Sequence, residues 1–330
     1  MATSSRPRRS RPIVATAVAV ALVAITAACA APPDLASLVP TQGRPAAALP
    51  LRPHPGACAP GQHFPSTATF TVEVGGGQRG ALIQLPADYR SDRPFPLLLS
   101  LHPFVVDPVA WERYSHLADD GARRGYIVAS PRGSEPGPRW SVPGGVQTAA
   151  DDFAFVDALI DQLSDQYCVN PARVFAAGFS AGAAMATALG CERADRFAAI
   201  AASGGSNLTQ LCPESASTDT MVLHGSADPI APPSGNTIPF TPPVGLTVDT
   251  VVARLAVRNG CSSAPASSQV TATVMVDRYV SCTHGRLEYW RMQGAGHTWA
   301  GADPSFDFLL GRTDRTIDAS TAVLDFFDAD

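Results

Sequence analysis

The stretch RVFAAGFSAGAAMATALG (residues 173–190) decides how the rest of the chain is read. Its first part, RVFAAGF (173–179), is a short apolar run, as expected of a strand buried on both faces. Its second part, from Ala181 to Cys191, is rich in Ala, the best helix former, and predicts a helix. Between them lies Gly178-Phe179-Ser180-Ala181-Gly182, a G-x-S-x-G. Where a strand meets a helix this pattern makes a sharp turn, and the flanking glycines are needed because side chains there would strike the neighbouring strand and helix. Such a turn puts Ser180 at a helix N-terminus, with the Ala181 N–H aimed at an oxyanion forming on an attacked carbonyl.

Strand and helix patterns alternate outward from this segment. TFTVEV (69–74) and ALIQL (81–85) flank Gly75-Gly76-Gly77 and predict a hairpin. No Lys follows those glycines, so they form a turn and not a phosphate loop. PLLLSL (96–101) is a continuous apolar run, a helical stretch follows over 108–124, and YIVAS (126–130) is a strand. A helix over 149–167 places Phe153, Val156, Leu159, Ile160 and Leu163 on one face. FAAIAAS (197–203), TMVLHG (220–225) and LEYWRMQ (287–293) are strands. VDTVVARLAVRNG (248–260) and TIDASTAVLDFFDAD (316–330) are helices, and residues 229–247 form a Pro-rich excursion without period. The expected class is α/β: a mainly parallel central sheet with an N-terminal antiparallel hairpin and helices on both faces. In such sheets the chemistry gathers at the carboxyl ends of the strands.

The 330 residues hold 24 basic side chains, all Arg, against 29 acidic ones, a formal charge of −5. That balance argues against nucleic acid as a partner. Hydrophobic residues make up 45%, too many for a disordered chain. Residues 1–28 read as a signal peptide, with Arg6, Arg8, Arg9 and Arg11 ahead of an uncharged run from Ile13 to Ala30. Its end, Ile25-Thr26-Ala27-Ala28-Cys29, has the form of a lipobox that would diacylate Cys29; cleavage after Ala30 at Ala28-Cys29-Ala30 is the other reading. The expected location is therefore outside the cytoplasm, as a secreted or surface lipoprotein, with the membrane touched only through that anchor. Loss of the four leading arginines takes the charge to −9. Residues 29–57, rich in Pro and Ala, read as a linker, and 58–330 as the catalytic domain. Removing Cys29 from the seven cysteines leaves six, enough for three disulfides.

A serine nucleophile needs a base, and the base an orienting acid. In this architecture the chain order is Ser, Asp, His. Asp228 lies just past strand 220–225, ahead of the alternatives Asp277 and Asp303. Of the three histidines after Ser180, His224 reads as a packed core residue and His284 as a surface neighbour of Cys282. His297, after the loop Gly294-Ala295-Gly296, is the expected base. A second oxyanion donor is expected after strand 96–101; Pro103 has no N–H, so it falls to Phe104. Trp140 and Trp299, with Phe104, are candidates to line a substrate pocket. Metal-binding and nucleotide motifs are absent, so no cofactor or metal is implied.

YCVNPARVFAAGFSAGAAMATALGCERADRFAAIAASGG (167–205), VLHGSADPIAP (222–232) and MQGAGHTWAG (292–301) together resemble secreted α/β-hydrolases of the polyhydroxybutyrate depolymerase and feruloyl esterase group, related to carbohydrate esterase family one. The resemblance runs from about Cys58 to Asp330. It implies the α/β-hydrolase fold with Ser180 as nucleophile, Asp228 as acid and His297 as base. The family's strand-end Leu-His-Gly reads Leu101-His102-Pro103 here, which alters the oxyanion loop. It also implies a Cys261–Cys282 disulfide. For the other four, Cys168 and Cys191 both fall near amino ends of predicted strands, so Cys168–Cys191 and Cys58–Cys212 are the expected pairs. The implied activity is serine-ester hydrolysis of feruloyl or acetyl polysaccharide esters or of hydroxyalkanoate oligomers. An acyltransferase sharing the acyl-enzyme and a catalytically silent binding lipoprotein are the alternatives. Only 48 residues separate Ser180 from Asp228, leaving no room for a large lid between them.

Overall fold

The computed structural model describes residues 58–135, 137–145, 151–211, 217–235, 246–262, 264–303 and 306–329. The chain divides into a unit ending at Ala47, outside the described residues, and a second unit, Ala48–Asp330, that holds all of them. The expected signal peptide over 1–28, Cys29, the expected linker over 29–57, Cys212 and most of the 229–247 excursion therefore lie outside the described residues.

The strand FPLLLSL, β3 (Phe95–Leu101), shows why the sheet has a helix layer on each side. Leu97, Leu99 and Leu101 point to one face and Leu98 to the other, and all four are fully buried. β4 (Ile127–Pro131), β5 (Val169–Phe179), β6 (Ala199–Ser203), β7 (Asp219–Gly225) and β10 (Leu287–Met292) join it in a six-stranded parallel block. The antiparallel hairpin β1 (Thr67–Val74) and β2 (Gly77–Gln84) extends one side through β4. β9 (Val274–Tyr279) and β8 (Ala266–Gln269), which sequence patterning did not predict, extend the other. Among the described residues the order is β1-β2-β4-β3-β5-β6-β7-β10-β9-β8.

One face is covered by α3 (Asp152–Gln166) and α4 (Ala181–Glu192). In α3 the buried apolar side chains include Phe155, Val156, Leu159, Ile160 and Leu163. Phe153, expected on this stripe, is half-buried at its edge, under the Arg193 guanidinium. α5 (Val248–Arg258) adds Val251, Val252 and Leu255 against Val222 of β7 and Leu287 of β10. The other face is covered by α1 (Pro108–Ser115), α2 (Leu117–Arg123) and α7 (Ala319–Asp328). Asp107, Asp151, Thr247 and Asp318 cap α1, α3, α5 and α7 by accepting a backbone N–H three residues on. The single helix expected over 108–124 is two, because His116 takes a left-handed conformation (φ 57°). His116 gives α2 no side-chain cap, and the Glu112 carboxylate accepts the Ala118 N–H at 2.8 Å instead. α7 is tied to the sheet by Tyr126, whose hydroxyl donates to Asp328 at 2.7 Å, and to α2 by Arg124–Asp325 at 2.6 Å.

Two disulfides are described in full. Cys261–Cys282 joins the loop after α5 to the loop after β9. Cys58 is bonded to Cys168, which corrects both remaining expected pairs, Cys168–Cys191 and Cys58–Cys212. The segment from Cys58 runs along the amino ends of β3 and β5: Phe64 packs on Tyr167, with ring centroids 4.7 Å apart, and Gln62 N–H donates to Ser91. Cys168 immediately precedes β5, whereas Cys191 lies in the last turn of α4. Cys191 is also disulfide-bonded. The Cys58–Cys168 link closes a separation of 110 residues. Replacing both cysteines with Ala should lower the unfolding free energy by about 2–5 kcal/mol, read as a shift in the urea midpoint.

Candidate active site

The site forms where β5 turns into α4. Ser180 has φ 56° and ψ −117°, a strained conformation for a residue with a side chain. The turn is feasible because backbones touch there. A Cβ on Gly182 would lie 2.0 Å from the Leu101 carbonyl oxygen, and one on Gly178 would lie 2.4 Å from the Gly182 carbonyl. Ser180 N–H donates to Ser203 O at 2.9 Å, and Gly205 passes so close that a Cβ would meet Ser180 O at 2.0 Å. Gly205 was not singled out from sequence; only its Gly204-Gly205 pairing after a strand hints at a close backbone approach.

The three residues expected from chain order come together. Ser180 Oγ lies 2.8 Å from His297 Nε2, and His297 Nδ1 lies 2.7 Å from Asp228 Oδ2. All three are at least nine-tenths buried. Asp228 Oδ1 accepts the N–H groups of Ile230 and Ala231, both at 2.8 Å. The carboxylate thus uses one oxygen to close its own turn after β7 and the other to face the imidazole. A carboxylate can only accept, so Nδ1 carries the proton and Nε2 presents its lone pair to the serine hydroxyl. His297 is fixed from behind, its N–H bonded to Leu310 O and its ring 4.8 Å from Phe179. This arrangement can take a proton from Ser180 as its oxygen attacks a carbonyl. Asp277 pairs instead with Arg291 at 2.8 Å, and Asp303 and His284 are exposed. His224 is buried and its Nε2 donates to Ala231 O at 2.8 Å, bracing the Asp228 turn.

The two backbone N–H groups expected to serve an oxyanion are those of Ala181 and Phe104. Neither Ala181 N–H nor Phe104 N–H makes a hydrogen bond among the described residues. Phe104 sits in the loop after β3, with its side chain 43% exposed. Val105 next to it has φ 54° and is held by its N–H to Pro138 O at 2.7 Å. His102 lies beneath this loop, fully buried. Its burial pushes the imidazole pKa down to about 4, despite the raising effect of its bond to the Pro103 carbonyl.

Trp140 and Trp299 are 1% exposed each, so neither ring lines an open pocket. Trp140 donates to His102 O at 2.9 Å, and its loop is anchored by Ser141 N–H to Asp152 at 2.6 Å. Trp299 donates to Ser320 Oγ at 3.1 Å and stands edge-on to Trp111 at 5.2 Å, flooring the Phe179–His297 contact. They brace the site; a buried indole needs a partner for its N–H, and each finds one in the fold. Among the described residues no group of His, Cys, Asp and Glu is arranged to hold a metal ion.

A profile of the prolyl oligopeptidase family matches residues 113–211. Feruloyl esterase B of Piromyces equi is 27% identical over 242 residues, covering 70% of this chain and 45% of that one. Feruloyl esterase D of Neurospora crassa is 23% identical over 258 residues, covering 75% and 83%. The chain thus spans less than half the length of the first of these relatives. Acetyl xylan esterase from Aspergillus awamori superposes with a TM-score of 0.51 at 16% identity, over 70% of this chain and 92% of that one. The chain has the α/β-hydrolase fold and is feruloyl-esterase-like in sequence.

Two spectroscopic outcomes follow from this geometry. In Asp228→Asn, the amide oxygen can keep the Ile230 and Ala231 N–H groups, which turns its NH2 toward His297 Nδ1. The ring proton should then move to Nε2, read as an exchange of the two imidazole 15N shifts. His102 should titrate near pH 4 in a proton NMR series. Its folded pKa is depressed, so the stability it contributes is present above the unfolded value of about 6.5 and is lost as pH falls through 4.

Proposed function

We propose that this feruloyl-esterase-like α/β-hydrolase is an exported serine esterase that cleaves carboxylic esters, with feruloyl- or acetyl-substituted polysaccharide as its substrate class. The hydrogen-bond chain Ser180–His297–Asp228 carries the reading, because it fixes the imidazole tautomer a serine nucleophile requires. Ser180 Oγ attacks the ester carbonyl carbon while its proton passes to His297 Nε2. The new C–O bond gives a tetrahedral intermediate, whose oxyanion takes the N–H groups of Phe104 and Ala181. The imidazolium, stabilised by Asp228, gives its proton to the leaving alkoxide as the ester C–O bond breaks. Water, giving a proton to the same imidazole, then attacks the acyl carbon; the imidazolium returns that proton to Ser180 Oγ as the acyl–Oγ bond breaks and the carboxylic acid leaves.

The names of the relatives support the substrate class, and Phe104, Val105 and Ile230 add exposed apolar surface on the loops around Ser180. Export is supported by the basic, apolar and small-residue order of residues 1–30 and by the disulfides of the folded part. Processing would end with Cys29 diacylated at the new N-terminus or removed with the leader.

The test is a panel of methyl ferulate, acetylated xylan, hydroxybutyrate oligomers, a triglyceride and a peptide nitroanilide on the purified chain. Feruloyl or acetyl esters should give the highest kcat/KM, and Ser180→Ala should lose at least about 10⁴-fold in kcat. Retained turnover in folded Ser180→Ala would sink the nucleophile assignment. A higher kcat/KM on the nitroanilide would replace esterase by peptidase, and transfer to an added sugar acceptor in preference to water would replace hydrolysis by acyl transfer.

A further inference from the structure

The Pro103 carbonyl and the Phe104 N–H belong to one peptide unit. In a trans peptide these two bonds point to opposite sides of the chain, so fixing one direction fixes the other. The Pro103 oxygen is held twice. His102 Nδ1 lies 2.8 Å from it, and the Val106 N–H donates to it at 3.4 Å to close a four-residue turn. The tautomer of His102 is set by its other nitrogen. The Gly133 N–H donates to Nε2 at 2.9 Å, so Nε2 carries the lone pair and Nδ1 the proton. The ring itself is immobilised: Trp140 lies 4.8 Å from it, centroid to centroid, and also holds the His102 carbonyl. Pro103 narrows the freedom of this loop further by fixing its own φ near −65° and by offering no N–H that could compete as a donor.

We infer that His102 is the positioning residue of the oxyanion hole: by gripping the Pro103 carbonyl through Nδ1–H, it turns the Phe104 N–H away from itself and toward the oxygen of an ester carbonyl at Ser180. This rests on the serine-esterase reading. It accounts for why Phe104 N–H has no partner among the described residues, while the carbonyl of the same peptide has two. It also gives Val105 its unusual φ of 54° a cause, since the chain must leave the constrained peptide in a tight turn.

The test compares His102→Leu, His102→Asn and His102→Gln in the full chain, with Ser180→Ala alongside. An Asn amide nitrogen reaches the position of Nδ1 and can donate to Pro103 O; Leu cannot, and Gln reaches the position of Nε2 instead. On methyl ferulate, His102→Leu should lower kcat by about 10²-fold, the effect of losing one oxyanion donor, with KM changed less than about threefold. His102→Asn should recover at least about tenfold of that loss, and His102→Gln should not. A trifluoromethyl ketone, which forms an oxyanion-bearing adduct with Ser180, should bind His102→Leu weaker by the same factor as kcat falls, with ferulate binding unchanged. Equal rates in the Asn and Gln variants would overturn the inference, and so would a folded His102→Leu with kcat near the parent's. If His102→Leu fails to fold, the Asn and Gln pair alone decides. Turnover retained in Ser180→Ala is a different failure: it removes the esterase reading.

Discussion

The backbone contact between the first turn of α4 and the end of β3 is the constraint on which the site depends. With the Leu101 carbonyl oxygen only 2.0 Å from where a Gly182 Cβ would be, no other residue type fits without moving β3 or α4. The contact has two effects at once. It forces Ser180 into a conformation that costs on the order of 1–3 kcal/mol, which the packed layers on both sides of the sheet offset. It also brings the end of β3 and the loop that follows it, Leu101-His102, from far earlier in the chain against the first turn of α4. The candidate nucleophile and the loop that carries a candidate oxyanion donor are therefore placed by one steric event.

Around that contact the site is built from buried groups whose hydrogen bonds leave few choices. Asp228 divides its oxygens between its own turn and His297, so the carboxylate cannot rotate without losing two backbone bonds. His224 holds Ala231, one of those two backbone donors, from the other side. His102 follows the same logic as His297 with the polarity reversed: the Gly133 N–H donates to Nε2, which leaves the proton on Nδ1 facing the Pro103 carbonyl. The aromatic floor of Phe179, Trp111 and Trp299 keeps water from competing for these bonds, and a low local dielectric strengthens each of them.

The parallel core was legible because its strands are buried on both faces and carry unbroken apolar runs, as in Leu97-Leu98-Leu99. That Ser180, Asp228 and His297 would meet was legible because each follows a predicted strand of the sheet by only a few residues. Strands β8 and β9 were not: β8, Ala-Ser-Ser-Gln, is exposed along its whole length and carries no apolar period, so pairing alone makes it a strand. The break at His116 was hidden because the apolar pattern continues through it, and the cap that permits it comes from Glu112, four residues back. Disulfide partners depend on which chain ends meet in space, and the run of Cys58 beside β5 leaves no local signature. The two tryptophans were read as pocket residues because a sequence shows an aromatic but not whether its indole N–H already has a partner inside the fold.

The ties that hold α7 in place also bear on alkaline media. Every basic residue is Arg, whose guanidinium stays charged to about pH 12 and beyond in ordinary surroundings, where a lysine pair would have dissolved. Burial works against Arg124, but its hydrogen bonds to Asp325 and Asp328 raise it, and even Arg258, which burial lowers to about 10, remains a cation until then. The phenols move the same way: all six tyrosines are pushed up from 10, in each case chiefly by burial. A raised folded value means that their stabilisation is complete below pH 10 and fades only as pH climbs past it. Past pH 10 the unfolded chain thus gains phenolate charges that the buried phenols resist, and the fold loses stability there.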